Sequence, residues 1–167
     1  MATTPRGWRT CYGERCRVWS PDLRGPRSSA ALFDPYSFAH MVGAGLQFFL
    51  IPPLWLAVDA ARWQLFLVNL LVHAAFELCE NAPCVIRLIR ACPGGDESYA
   101  GDTVLNTVGD LVSFSVSYAL SAALFEAAGA AAAACVPALA LLAFLAVSAS
   151  AGGPRGAAAG APGGPAR

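Results

Sequence analysis

The sequence predicts an all-α fold: an integral membrane bundle of about four transmembrane helices. Three observations carry this. Of 167 residues, 56% are hydrophobic and only 13% charged, against roughly 25% charge in an ordinary soluble domain. Four apolar runs each approach the ~20 residues that cross a ~30 Å hydrocarbon core. Acids, histidines and asparagines in or beside these runs recur at helical spacing, so they share faces.

The first span is read over residues 38–58, "FAHMVGAGLQFFLIPPLWLAV". Pro52 and Pro53 lack N–H donors and should kink or break it. Its "GAGLQ" segment offers small residues for close helix contact. The second span covers residues 63–80, and the short "VDAAR" link makes it an antiparallel partner of the first. The third covers residues 103–126, entered from "PGGDESYAGD", with Asp102 or Thr103 near the helix start, where such residues cap. The fourth covers residues 128–150 and is rich in Ala and Leu. Three regions follow: an Arg-rich segment 1–33, poorly ordered or peripheral; a transmembrane domain 34–150; and a low-complexity tail 151–167, expected to be disordered.

Arginine placement orients the bundle. With both termini inside, Arg6, Arg9, Arg15, Arg17, Arg24 and Arg27, the middle pair Arg87 and Arg90, and Arg155 and Arg167 all fall inside. Arg62 alone falls outside. An excess of inner arginine favours cytoplasmic termini in a plasma (inner) membrane, or the equivalent side of an organelle membrane. No cleavable signal is evident, because residues 1–33 lack an apolar core; their Arg-rich, acid-poor character also permits an organelle transit reading. The formal net charge is zero, so no electrostatic case exists for nucleic acid. Six cysteines do not suggest a disulfide scaffold; Cys11 and Cys16, in "CYGERC", can pair or bind a metal.

The polar residues are the informative part. In the second span His73, Glu77, Glu80 and Asn81 lie at i, i+4, i+7 and i+8, on one helical face. In the third, Asp102, Asn106 and Asp110 follow the same rule. The first span adds His40, preceded by Asp34. A charged group at the centre of a membrane helix costs roughly 2.5–3.5 kcal/mol. The carboxylates should therefore face one another, a cation, arginine or a wet cavity. Glu80, Asn81, Asp102 and His40 also admit a plainer reading as span-end residues meeting headgroups and water. Glu77 and Asp110 lie deeper and admit it less. His73 reads as a helix-packing hydrogen bonder, Asn106 as a bridge between helices, and Ser113, Ser117 and Tyr118 as packing residues.

Three chemistries fit the carboxylates and histidine: a divalent cation that neutralises the acids and activates water; a general acid/base pair or proton relay; or a structural network neutralised by Arg87 or Arg90. Spacing alone leaves these open.

The order "DPYSFAH", "FELCENAP" and "YAGDTVLNTVGD", after a Cys-rich start with Trp19, resembles a family of uncharacterised bacterial multi-pass inner-membrane proteins, a domain of unknown function. The resemblance covers roughly residues 10–125, and the three motifs together are specific. Matching positions include Asp34, His40, Glu77, Glu80, Asn81, Arg90, Asp102, Asn106 and Asp110, but neither His73 nor Arg87. A looser likeness is to VanZ-like membrane proteins. The resemblance implies a location and a topology class, and no activity.

Two readings follow. In the first, His40, Glu77, Glu80, Asp102 and Asp110 form a catalytic site acting on a membrane lipid or lipid-linked substrate. His40, Glu80, Asp102 and Asp110 are then the candidate ligands of a divalent cation. Asn81 and Asn106 orient the acids, and Arg90 meets an anionic headgroup. In the second, the chain is a non-enzymatic membrane protein, an oligomer or a subunit of a membrane complex, and the same residues lock helices together.

Overall fold

The computed structural model describes residues 16–24, 29–50, 61–93 and 95–151. It is all-α apart from two short strands: β1 (Arg17–Trp19), β2 (Ala31–Phe33), α1 (Pro35–Leu50), α2 (Arg62–Glu80), α3 (Pro83–Ala91), α4 (Val104–Ala128) and α5 (Ala130–Ala151). Pro52 and Pro53, the tail beyond residue 151, Cys11 and most of the link between α1 and α2 lie outside the described residues.

Each boundary has a local cause. Asp34 precedes Pro35 and receives the first free N–H groups of α1. Helix α2 ends at "ENAP" because a residue before proline leaves the helical region; Ala82 has ψ 140°. Pro83 then opens α3, whose axis turns 69° from that of α2. The stretch holding Arg87 and Arg90, between the second and third spans expected from sequence, is thus a short helix with one buried residue, Ile86. Thr103 caps α4, its Oγ1 accepting the Asn106 N–H at 3.1 Å. Gly129, at φ 83°, takes a left-handed conformation between α4 and α5.

Within the segment 1–33, expected to be poorly ordered or peripheral, the described residues 16–24 and 29–33 include two strands. Strands β1 and β2 pair in parallel, Arg17 with Ala31 and Trp19 with Phe33. Trp19 meets the ring of Phe38 edge-on, centroids 6.0 Å apart. Ser29 C=O accepts the Thr103 N–H at 3.0 Å, tying the ribbon to the start of α4. Sequence periodicity gave no hint of strands three residues long. Cys16 is disulfide-bonded.

Packing is centred on α4, which touches α1, α2, α5 and β2. Its polar positions fall on one seam: Asn106, Asp110, Ser113, Ser117 and Ser121 are all buried. The side chains sealed inside are mostly polar, and the apolar ones are mainly outside. Leu71, Leu139 and Leu142 are each more than 60% exposed. This reverses the arrangement of a water-soluble protein and suits a hydrocarbon surround. Two helices, residues 104–128 and 130–150, are long and apolar enough to cross a membrane, and the bent pair α2–α3 makes a third if it is one span.

Two glycines permit the closest approaches. A Cβ on Gly45 would lie 2.5 Å from Pro137 Cβ, where α1 crosses α5; a Cβ on Gly109 would lie 1.6 Å from the Leu32 carbonyl oxygen, where β2 lies on α4. Gly43 has nothing within 4 Å of the corresponding point. Gly109→Ala should therefore force β2 off α4 and lower stability by about 1–3 kcal/mol, the usual cost of overpacking. Gly43→Ala should be neutral or stabilise by up to ~1 kcal/mol through helix propensity. Thermal melts of the two variants in detergent, with proteolysis monitored around residues 29–34, check the contrast.

Candidate functional site

The site forms where α1, α2 and the start of α4 converge. Helix α2 presents Asn69, His73 and Glu77, its three buried residues, at four-residue intervals. Helix α1 presents His40 one turn after Ser37, and α4 presents Asn106 and Asp110 one turn apart.

Glu77 is at the centre. Its Oε1 lies 3.2 Å from His40 Nδ1 and 3.3 Å from His73 Nε2. His40 Nε2 in turn lies 3.7 Å from Asp110 Oδ2. The two imidazole rings meet edge to face, centroids 5.0 Å apart, and His73 stacks on Phe114 at 4.2 Å. Glu77 is 1% exposed, yet neither of its carboxylate oxygens has a hydrogen-bond partner; nor does His73 Nε2. Buried polar atoms left in this state are rare, because each forfeits the water it would otherwise hold.

The surrounding acids are treated differently. Asp34 Oδ1 accepts the N–H groups of Tyr36 at 2.8 Å and Ser37 at 3.3 Å, and Asp34 N–H donates to Ser37 Oγ at 3.1 Å. This is a reciprocal cap. The Ser37 hydroxyl donates onward to Asp110 Oδ1 at 2.8 Å, and Asn106 Nδ2 donates to Asp34 Oδ2 at 3.4 Å. Asp102 is bound by Asn81 in both directions: Asn81 Nδ2 donates to Asp102 Oδ2 at 3.0 Å, and Asp102 N–H donates to Asn81 Oδ1 at 2.6 Å. The Tyr99 hydroxyl sits 3.2 Å from both Asp102 oxygens. Burial pushes Asp34 up to about 7 against the cap hydrogen bonds, which pull it down. Burial likewise raises Asp102, opposed by hydrogen bonds from Ser29, Asn81 and Tyr99. The Tyr99 hydroxyl is raised by burial and then by the neighbouring Asp102 and Glu80 charges.

Metal-ligating atoms gather in two groups. Atoms of His40, His73 and Glu77 lie within 4.8 Å of one another, as do atoms of Glu77, Glu80 and Asp102. The structure thus brings His40, Glu77, Glu80, Asp102 and Asp110 together. It divides the ligand set expected from sequence, since Asp110 belongs to neither group and is held by Ser37 and His40. Asn81 and Asn106 orient acids, Asp102 and Asp34 respectively. Arg90 is placed elsewhere: its Nε donates to the Tyr99 carbonyl, so it braces the loop before α4. Sequence reading assigned His73 to packing, although its i, i+4 spacing to Glu77 was visible. The roles of Ser37 and Tyr99 were missed. The Asp34-x-x-Ser37 cap spacing could have signalled Ser37, whereas Tyr99 carried no local signal.

Two cavities flank this cluster. One, about 320 Å³, is the more polar of the two and is lined by residues that include Arg24, Glu80, Tyr99 and Asp102; the other, about 310 Å³, is lined by Gly43, Gln47, His73 and Phe76. Tyr36, His40 and Glu80 belong to both walls.

The profile of the family described as "Protein of unknown function (DUF2585)" matches residues 4–147. Curated relatives include a "UPF0314 protein" of Paracoccus denitrificans (strain Pd 1222), 31% identical over 116 residues, 68% of this chain and 58% of that protein. Proteins of the same name from Sphingopyxis alaskensis and Novosphingobium aromaticivorans are 28% and 27% identical, over 56% and 64% of this chain and 48% and 54% of theirs. The chain spans about half the length of the curated relatives it matches. No solved structure matches it.

The Asp34 shift has a measurable sign. Between pH 3.8 and about 7 the folded chain holds a proton on Asp34 that the unfolded chain has released. Stability therefore falls as pH rises through that window. In chelator-treated protein the melting temperature should drop by several degrees from pH 5 to pH 7.5. Asp34→Asn, which keeps a capping side chain, should flatten that slope.

Proposed function

The chain belongs to the DUF2585 family of proteins of unknown function, and on its geometry we propose that it is a multi-pass membrane protein binding a divalent cation at His40, His73 and Glu77 for work on a lipid or lipid-linked substrate. The observation that carries this is the state of Glu77. A buried carboxylate with no hydrogen-bond donor, faced by two imidazole nitrogens at 3.2 and 3.3 Å, has the arrangement of lone-pair donors around a cation. Asp110 beside His40, and the stacking of His73 on Phe114, orient the two rings as outer contacts orient metal-bound histidines. A bound cation supplies Lewis acidity and lowers the pKa of water. The adjoining polar cavity offers room for a headgroup, with Arg24 as its cationic wall residue.

A second reading has its own support. The paired hydrogen bonds between Asn81 and Asp102, and the chain Asp34–Ser37–Asp110, join elements distant in sequence. On that reading the cluster locks helices and the protein is a non-enzymatic membrane protein or complex subunit. Glu77 separates the two, since it takes part in none of these side-chain bonds.

The arginine distribution supports termini on the cytoplasmic side, since ten of eleven arginines then lie inside. The Cys16 disulfide opposes this orientation, since disulfides persist in oxidising compartments. Fusing a fluorescent protein and, separately, alkaline phosphatase to the C-terminus decides it: fluorescence with an inactive phosphatase is expected, and the reverse pattern overturns the orientation. For the site, Glu77→Gln should weaken Zn²⁺ affinity in detergent on the order of 100-fold, measured by competition with a chromogenic chelator. Unchanged metal content with a collapsed melting temperature would instead favour the helix-locking reading.

A further inference from the structure

The cluster contains more ligand atoms than one cation uses, and their distribution is uneven. Glu77 is the one residue common to both ligand groups. One group adds two imidazoles, His40 and His73; the other adds two carboxylates, Glu80 and Asp102. Both Glu77 oxygens are buried and without partners, so both are available as ligands. Glu80 and Asp102 also line the polar cavity, as does His40, so the cluster opens toward the larger polar space.

We infer that Glu77 is a bridging carboxylate that joins two divalent cations, one beside His40 and His73 and one beside Glu80 and Asp102. The inference rests on the single-cation reading above and extends it. The two positions differ in hardness. Imidazole nitrogens with one carboxylate suit a borderline ion such as Zn²⁺ or Mn²⁺, and an all-carboxylate position suits Mg²⁺ or Mn²⁺. Mn²⁺ is the ion that both positions accept. Two cations also answer the charge problem. Glu77, Glu80 and Asp102 stand within ligand distance of one another; Arg90 is turned to the Tyr99 carbonyl, and Arg24 lines the cavity that Glu80 and Asp102 also line. The bonds that Asp102 receives from Asn81 and Tyr99 fix its orientation and leave lone pairs for a cation. Paired cations roughly 3.5–4 Å apart are the arrangement that clamps both the attacking and leaving oxygens of a displacement at phosphorus, which points to phosphate esters as the chemical class served.

The test is stoichiometry. Full-length protein purified in detergent is loaded with Mn²⁺ and freed of excess by gel filtration. It is then assayed by elemental analysis and by electron paramagnetic resonance. About two Mn²⁺ per chain with an exchange-coupled spectrum are expected. Glu80→Gln should reduce this to about one and abolish the coupling, while Glu77→Gln should remove most of both. Asp102→Asn provides a second route to the carboxylate position if Glu80→Gln fails to fold. Wild type holding one Mn²⁺, unchanged by Glu80→Gln, overturns the bridging inference and leaves the single-cation reading standing. Wild type holding none overturns both.

Discussion

A carboxylate has been buried without a hydrogen bond, and the rest of the bundle is organised around it. Glu77 sits in α2 with 1% exposure, in a helix whose Leu71, Phe76 and Leu78 side chains face outward. Removing an ion from water without compensation costs several kcal/mol. Helices in hydrocarbon gain little from clustering apolar side chains, because lipid is as apolar as leucine. What they can gain is the company of polar groups that lipid would not solvate. The buried seam of α4, from Asn106 to Ser121, and the buried face of α2, from Asn69 to Glu77, have that character. Polar atoms hold this interior together, and van der Waals contact of small residues closes it, as at Gly45 and Pro137.

Rigidity comes from bonds that span sequence. Asp34 caps α1 with one oxygen and receives Asn106 of α4 with the other. Ser37 completes the cap and reaches Asp110, 73 residues away. Asn81 stands at the bend between α2 and α3 and grips Asp102 at the entry to α4. Each bond joins a helix end to a neighbour, so each fixes both translation and rotation. With α1, α2 and α4 held in this way, His40, His73 and Glu77 have little freedom to relax toward other partners. The orphaned state of Glu77 is thereby imposed by its surroundings.

Much of this was legible in sequence, and the gaps have physical causes. The end of α2 at residue 80 and the start of α4 beside Thr103 agree with the spans read from sequence, because proline and capping residues act locally. The convergence of His40, Glu77, Glu80, Asp102 and Asp110 followed from helical periodicity plus the cost of lone charges in a membrane. What periodicity could not supply was rotation about each helix axis. That is why His73 was assigned to packing and Asp110 to the ligand set, when the structure places His73 against Glu77 and turns Asp110 toward Ser37. The parallel ribbon of β1 and β2 was invisible because strands of three residues show no alternation. Their pairing depends on contact with α4 at Gly109, a tertiary fact. Arg90 was matched to a headgroup by charge alone, and the loop it braces could not be seen.

The partnered and unpartnered acids also say where a reactant would have to arrive. Asp34, Asp102 and Asp110 each accept donated protons from neighbouring side chains or backbone, so they act first as structure. Glu77 and Glu80 accept none among the described residues. Glu80 belongs to the wall shared by the two cavities, along with His40 and Tyr36, and Glu77 lies within ligand distance of both Glu80 and His40. Gly43 of α1 and Phe76 of α2 border the second cavity from two different helices. The exterior of α2 and α5 carries apolar side chains that suit a hydrocarbon surround, as at Leu71, Leu139 and Leu142. The same inversion that turns apolar side chains outward therefore gathers the unpartnered Glu77 and the cavity-lining Glu80 inside the bundle.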